Sequence, residues 1–245
     1  MQVYQLVVAE RRHMADLLAS LTQEQLTRQS LCDAWTVHEV AAHLASYLRF
    51  GQLKILACML AYAGDFSPGN RKLARWYARR PSADIIALLR HNAAARTTVP
   101  RSGYDPVLAD LVLHDLDIRI PLGIAREIPP DRLAVTFHHL ATAPSPGYAV
   151  GGRLRDLRFE TTDTGWTAGT GALVRGPAQA VVLAMSGRTP ALADLAGDGV
   201  DVLRRRISQQ WVQPVPERLK KMAATVLRPS PRRSRDAAPP PLASS

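Results

Sequence analysis

Aromatic residues, cysteines and acidic residues are all scarce in this chain of 245 residues, and each shortage excludes something. Aromatics make up 6% of the sequence, so the core must be built mostly from Leu, Val, Ala and Ile. Only two cysteines occur, Cys32 and Cys58, without a CxxC pattern. That argues against a disulfide framework and leaves Cys32 read as a small buried or half-buried thiol rather than a nucleophile. No apolar run reaches the ~18 residues a transmembrane helix requires. The N-terminus, MQVYQLVVAERRH, lacks the basic-then-apolar order of a signal peptide, so a cytoplasmic location is expected.

Asp and Glu number 21 against 31 Lys and Arg, a formal net charge of +10. Such a balance invites a nucleic-acid reading, but its distribution argues against one. Residues 201–245 hold ten Lys/Arg and three Asp/Glu, while the preceding 200 hold 21 and 18. The basicity therefore belongs to the tail. What the sequence does supply is a hydrophobic content of 47%, ordinary for a globular chain.

Helical spacing dominates the first part. Leu6, Val7, Met14, Leu17 and Leu18 predict a helix over 3–20, with Glu10, Arg11, Arg12 and His13 on other faces. A turn follows at 22–28. Thr36 and Glu39 form a capping box, with Trp35 and Val40 at the positions of a hydrophobic staple, so a helix starts at about 37 and runs to 50 or beyond. Residues 64–72 read as a loop and Ser82 or Asp84 opens another helix. Asp105-Pro106 opens a helix carrying LADLVLHDLDIRI that ends before Pro121 and Gly123. One more helix covers about 131–142. Four or five helices with modest loops suit an up-and-down bundle. After APSPG at 143–147, short Thr- and Gly-rich stretches read as strands, with helices at 177–187 and around 201–207. Last comes a short basic helix with an apolar stripe at Leu219, Met222, Ala223 and Val226, then a Pro/Arg/Ser-rich segment of disordered composition.

Among the seven histidines, His13, His38 and His91 read as surface residues, and the adjacent His138 and His139 cannot both face one point in a bundle. His43 differs: it shares the buried stripe of its helix with Val40 and Tyr47, where a polar ring needs a partner. Asp110 and His114, spaced i, i+4, lie on one face of another helix. Two readings of that pair stand open on spacing alone, a surface ion pair or two ligands of one metal ion. With His43 as the third ligand, the ion would keep an open position, the pattern of a catalytic site. Asp117 continues the same face, either to accept a hydrogen bond from a ligand histidine or to pair with Arg119 or Arg49. Arg155, Arg175 and Arg188 are candidates for binding an anionic group.

The segment LCDAWTVHEVAAHLASY resembles the "GWT" helix of the mycothiol-dependent maleylpyruvate isomerases and their DinB-like relatives, and DLVLHDLDIRIPLG looks like their second signature. VRGPAQAVVLAMSGR resembles the family's small C-terminal domain. The resemblance implies an α+β chain in three parts: a DinB-like metal-binding four-helix bundle over 1–146, a small sterol-carrier-like α+β domain over 147–210, and a basic amphipathic helix with a disordered tail over 211–245. It implies a divalent metal, zinc in the first place, on His43, Asp110 and His114. It implies mycothiol or a similar thiol as cosubstrate, with a small electrophilic substrate isomerised or joined to the thiol. Two departures stand out: Asp110 replaces the isomerase's longer Glu, so the helices must approach more closely or a water must intervene, and Ala34 replaces the usual Gly. A non-catalytic metal- or ligand-binding protein is the alternative reading.

Overall fold

The computed structural model describes residues 2–32, 35–61, 66–98, 103–142 and 150–209, with side chains described outside 51–69 and 150–151. Both boundaries expected from sequence, at 146/147 and 210/211, and the whole basic tail lie outside the described residues, as does the side chain of Cys58.

Helices α1 (Val3–Ser20), α2 (Gln23–Thr27), α3 (Val37–Ala61), α4 (Phe66–Tyr77), α5 (Ser82–His91), α6 (Asp105–Leu122) and α7 (Pro130–Thr142) form the helical N-terminal region. α6 is its centre. It is buried nearly all round from Leu108 to Arg119, as expected of a helix enclosed by its neighbours. α1, α3 and α7 pack around it. Gly123, at φ 68°, takes the left-handed turn that ends α6, and Pro121 sits inside the last turn rather than beyond it. The Thr36–Glu39 capping box forms as the sequence predicts, with Thr36 N–H donating to Glu39 Oε2 at 2.9 Å and Glu39 N–H to Thr36 Oγ1 at 3.3 Å.

Three local expectations are corrected. The turn at 22–28 contains α2, started by a second capping box between Thr22 and Gln25. The loop at 64–72 is helical from Phe66, because Pro68 falls in the first turn, where no intrahelical donor is needed. Glu10 and Arg11 do not face solvent; they are buried on α1. Arg11 donates to the carbonyls of Ala93 and Ala95, and Glu10 receives Arg126 at 3.0 Å and Arg132 at 2.8 Å. Charges are buried only when so paired.

The same network extends to Asp115, which holds Arg119 and Arg126 at 3.0 Å each. Arg119 Nη2 donates to His13 Nε2 at 2.8 Å, which requires that nitrogen to be unprotonated. Burial and Arg126 push the His13 pKa down, against the pull of Asp115 and Glu10. A depressed folded pKa contributes stability above the unfolded value of about 6.5 that is lost as pH falls through the folded value. The melting temperature should therefore drop less between pH 7.5 and 5 in His13→Gln, which keeps an acceptor but cannot charge, than in the wild type. Equal drops would contradict this.

After α8 (Val150–Arg153) a three-stranded mixed sheet follows: β1 (Leu157–Thr161), β2 (Thr167–Gly169) and β3 (Ala172–Gly176). β1 is central, antiparallel to β2 and parallel to β3, with Phe159 opposite both Ala168 and Val174. Alternation buries Leu157, Phe159 and Thr161. α9 (Ala178–Met185), apolar on all faces, is sandwiched between this sheet and α7. A 3₁₀ turn (Thr189–Asp194) and α10 (Gly199–Ser208) complete the unit. No helix among the described residues is long and apolar enough to cross a membrane.

Candidate metal centre

α3 and α6 bring His43, Asp110 and His114 together. His43 Nε2 lies 3.7 Å from Asp110 Oδ2, and His114 Nε2 lies 3.4 Å from Asp110 Oδ1. Both separations are too long for good N–H···O hydrogen bonds, which run at about 2.7–3.2 Å. The separation to His114 matches two donors of one tetrahedral ion, since bonds of about 2.0–2.1 Å place donors roughly 3.3–3.4 Å apart, and the separation to His43 is a few tenths of an ångström wider. The donor set of two imidazoles and a carboxylate suits zinc. Both histidines are 3% exposed and Asp110 is half-buried, so the cluster opens on the carboxylate side.

The electrostatics follow from this crowding. Burial pushes the His43 pKa down, opposed by Asp110. Burial would raise the Asp110 carboxyl, but the two histidines hold it well below the usual range. His114 is raised well above an ordinary histidine despite burial, through Asp110, Cys32 and Asp117. A proton on His114 Nε2 is thus the natural competitor of a metal ion.

His114 is oriented from behind. Its Nδ1 lies 2.9 Å from Asp117 Oδ2, and a proton there leaves the Nε2 lone pair directed at the cluster. Asp117 is fully buried and pairs with neither Arg119 nor Arg49. Its partner is Arg188, with Nε 2.9 Å from Oδ1 and Nη2 2.5 Å from Oδ2. Burial would push the Asp117 carboxyl up, but Arg188 and His114 hold it far below the carboxylate range. Gly187, at φ 93°, turns the chain at the end of α9 so that Arg188 reaches across to α6. The guanidinium of Arg153 occupies the space a Cβ on Gly187 would fill.

The segment between α2 and α3 closes the site. Leu31 N–H donates to Asp117 O at 2.9 Å, and Ser30 and Gln29 side chains donate to Trp35 O at 2.8 and 2.7 Å. This sets Cys32 Sγ 3.0 Å from Asp117 Oδ2 and 3.8 Å from His114 Nδ1. Cys32, His114 and Asp117 form a second group with metal-ligand spacing, but Arg188 Nη2, 3.6 Å from Cys32 Sγ, already supplies its cation. Trp35 lies over His43 with ring centroids 4.6 Å apart and planes at 31°, and 5.8 Å from His114. Tyr47 meets His43 edge-on at 4.9 Å.

The remaining histidines divide largely as the sequence suggests. His91 and His138 are exposed, while His139 is buried. His38 is half-buried rather than exposed, because its Nε2 bonds the Ala78 carbonyl at 2.9 Å. His139 Nε2 has no hydrogen-bond partner, and burial lowers its pKa against the pull of Asp105 and Asp110. Sequence reading missed the placement of Cys32, and it named Arg188 only as one of three loose candidates. Neither carries a local signal, since Arg188 and Asp117 are 71 positions apart.

Residues 7–115 match the family model described as the mycothiol maleylpyruvate isomerase N-terminal domain. A comparison with curated protein sequences gives no match. Among solved structures, a histidine-to-alanine mutant of the mycothiol-dependent maleylpyruvate isomerase superposes with a TM-score of 0.56 at 13% identity, covering 80% of this chain and 91% of that one. The same enzyme without that mutation gives a TM-score of 0.50 at the same identity and coverage. At such identity the likeness is one of fold, a helical region followed by a small mixed sheet. The chain is thus similar to this family over residues 7–115 of its helical region, and similar in fold to the isomerase over the helical region and the small mixed sheet.

Proposed function

We propose that this protein is a metal-dependent enzyme that uses a low-molecular-weight thiol of the mycothiol kind to isomerise a small electrophilic substrate or to transfer the thiol to it. The observation that carries the reading is the convergence of His43, Asp110 and His114, with ring nitrogens 3.7 and 3.4 Å from the carboxylate oxygens and all three within reach of one ion. The family match of residues 7–115 supports the thiol. Zinc is the metal we assign to the three side chains, from their donor types.

A zinc ion there would hold the sulfur of a bound thiol as thiolate, which is the nucleophilic form. The chain's own residues do the rest. Asp117 fixes the tautomer and direction of His114. Arg188 keeps Asp117 ionised and places a guanidinium beside the cluster from the C-terminal unit. Trp35 and Tyr47 wall off His43. On the substrate, addition of the thiolate to an activated double bond permits rotation about that bond. The electron pair left on the neighbouring carbon then either expels the thiolate, giving the isomer, or takes a proton from water, giving the adduct.

The test is turnover of an activated cis-alkene such as maleylpyruvate, followed by ultraviolet absorbance with zinc-loaded protein and a thiol. Turnover should require both zinc and thiol, and omission of either should abolish it. Zinc bound at full stoichiometry with no isomerisation and no thiol consumption across a panel of electrophiles would overturn the enzymatic reading in favour of a non-catalytic metal-binding protein.

A further inference from the structure

Trp35 is 8% exposed, and its Nε1 is a buried donor with no acceptor among the described residues. Buried N–H groups are nearly always paired, and an unpaired one costs about 1–3 kcal/mol. The indole is not loosely placed. The loop around it is fixed by four hydrogen bonds to its backbone, Ser30 N–H, Ser30 Oγ and Gln29 Nε2 donating to Trp35 O and Trp35 N–H donating to Cys32 O. Its ring lies against both histidines of the cluster. A second buried nitrogen without a partner, His139 Nε2, lies on α7, within electrostatic reach of Asp110. The orphaned indole N–H thus belongs to a ring that packs on the two histidines of a cluster with a half-buried carboxylate.

We propose that Trp35 is a ligand-contacting residue, whose indole N–H donates a hydrogen bond to the anionic acceptor atom of the molecule bound at the His43–Asp110–His114 centre. The inference rests on the metal reading above. The chemistry of the wall fixes the ligand class. The indole N–H can only donate. A metal ion adds positive charge. A ligand meeting both must present an electron-rich acceptor, a thiolate sulfur or a carboxylate oxygen. Trp35 thereby does two jobs from one ring: its face packs on His43, and its edge reads the ligand.

The test separates these jobs. Trp35→Phe keeps an aromatic face on His43 and deletes the N–H. Zinc content, measured by elemental analysis, should equal that of the wild type. Affinity of the cobalt-loaded variant, read from its visible spectrum, should fall at least about tenfold for 2-mercaptoethanol, a thiol without a carboxylate, or for acetate, a carboxylate without a thiol. An effect on the first assigns the acceptor as sulfur, and on the second as oxygen. Because a tryptophan substitution can impair folding, the wild type is also labelled with ¹⁵N at its four indoles. The Trp35 resonance, assigned by selective labelling, should move downfield on addition of the same probe to zinc-loaded protein. Zinc uptake with an unmoved resonance and unchanged affinities for both probes would overturn this inference alone. A wild type that takes up no zinc would overturn the metal reading, and this inference with it.

Discussion

Replacing His114 with alanine should remove metal from the protein. Structural zinc sites are worth about 10–16 kcal/mol in all, so losing one of three protein ligands should weaken binding by roughly 10²–10³-fold or more. Metal content after dialysis against a weak chelator should fall from near one ion per chain to background. His43→Ala should behave alike, because Asp110 sits between the two rings, with one oxygen toward each. His91→Ala, at an exposed position on α5, should keep full metal. Thiol-dependent turnover should follow the metal in all three. Full metal in either ligand variant would refute the assignment of that residue.

Asp117→Asn should have the second largest effect, although the side chain lies outside the proposed ligand set. It is fully buried, and its charge is the counter-ion of Arg188, whose side chain is 10% exposed. Removing one partner of a buried pair costs about 3–5 kcal/mol, equivalent to a fall in Tm of roughly 6–20 °C for a chain of this size. The same change replaces the charged acceptor of His114 Nδ1 with a neutral amide. Metal affinity should fall about 10–100-fold, as when the orienting partner of a ligand histidine is lost elsewhere. Arg188→Gln is the informative companion. It should also lower Tm, but it leaves Asp117 to hold His114, so its metal affinity should stay closer to the wild type. If Asp117→Asn binds zinc as tightly as the wild type, His114 is oriented by something else. Calorimetry and a competition titration measure the two quantities separately.

The comparison of sequence with structure divides along the range of the forces involved. Features set within one or two helical turns were legible. The Thr36–Glu39 box started α3 where expected, and Asp110 and His114 share a face because they are four residues apart. His43 also stood out, as a polar ring on an apolar stripe. What sequence periodicity could not supply was the pairing of distant charges. Glu10 and Arg11 read as surface residues, because their partners, Arg126 and Arg132 for one and carbonyls near Ala93 for the other, lie 82 or more positions away. Asp117 was legible as a group that orients a histidine, but its cation was sought nearby at Arg119 or Arg49. Arg119 is instead held by Asp115, and Arg188 arrives from the other structural unit. Cys32 was read only as a small buried or half-buried thiol, because the loop that folds it onto α6 is fixed by bonds of Gln29, Ser30 and Leu31 to backbone carbonyls, which no helical or strand period signals.

The most direct test of the metal centre is X-ray absorption at the zinc edge of the loaded protein, recorded without and with added thiol. Without thiol, the spectrum should show nitrogen and oxygen scatterers only, at about 2.0–2.1 Å, with imidazole outer shells for two histidines. Addition of thiol should introduce one sulfur at about 2.3 Å. A sulfur scatterer before any thiol is added would contradict this, because it would put the ion on Cys32, His114 and Asp117, in the place that Arg188 fills, rather than on His43, Asp110 and His114.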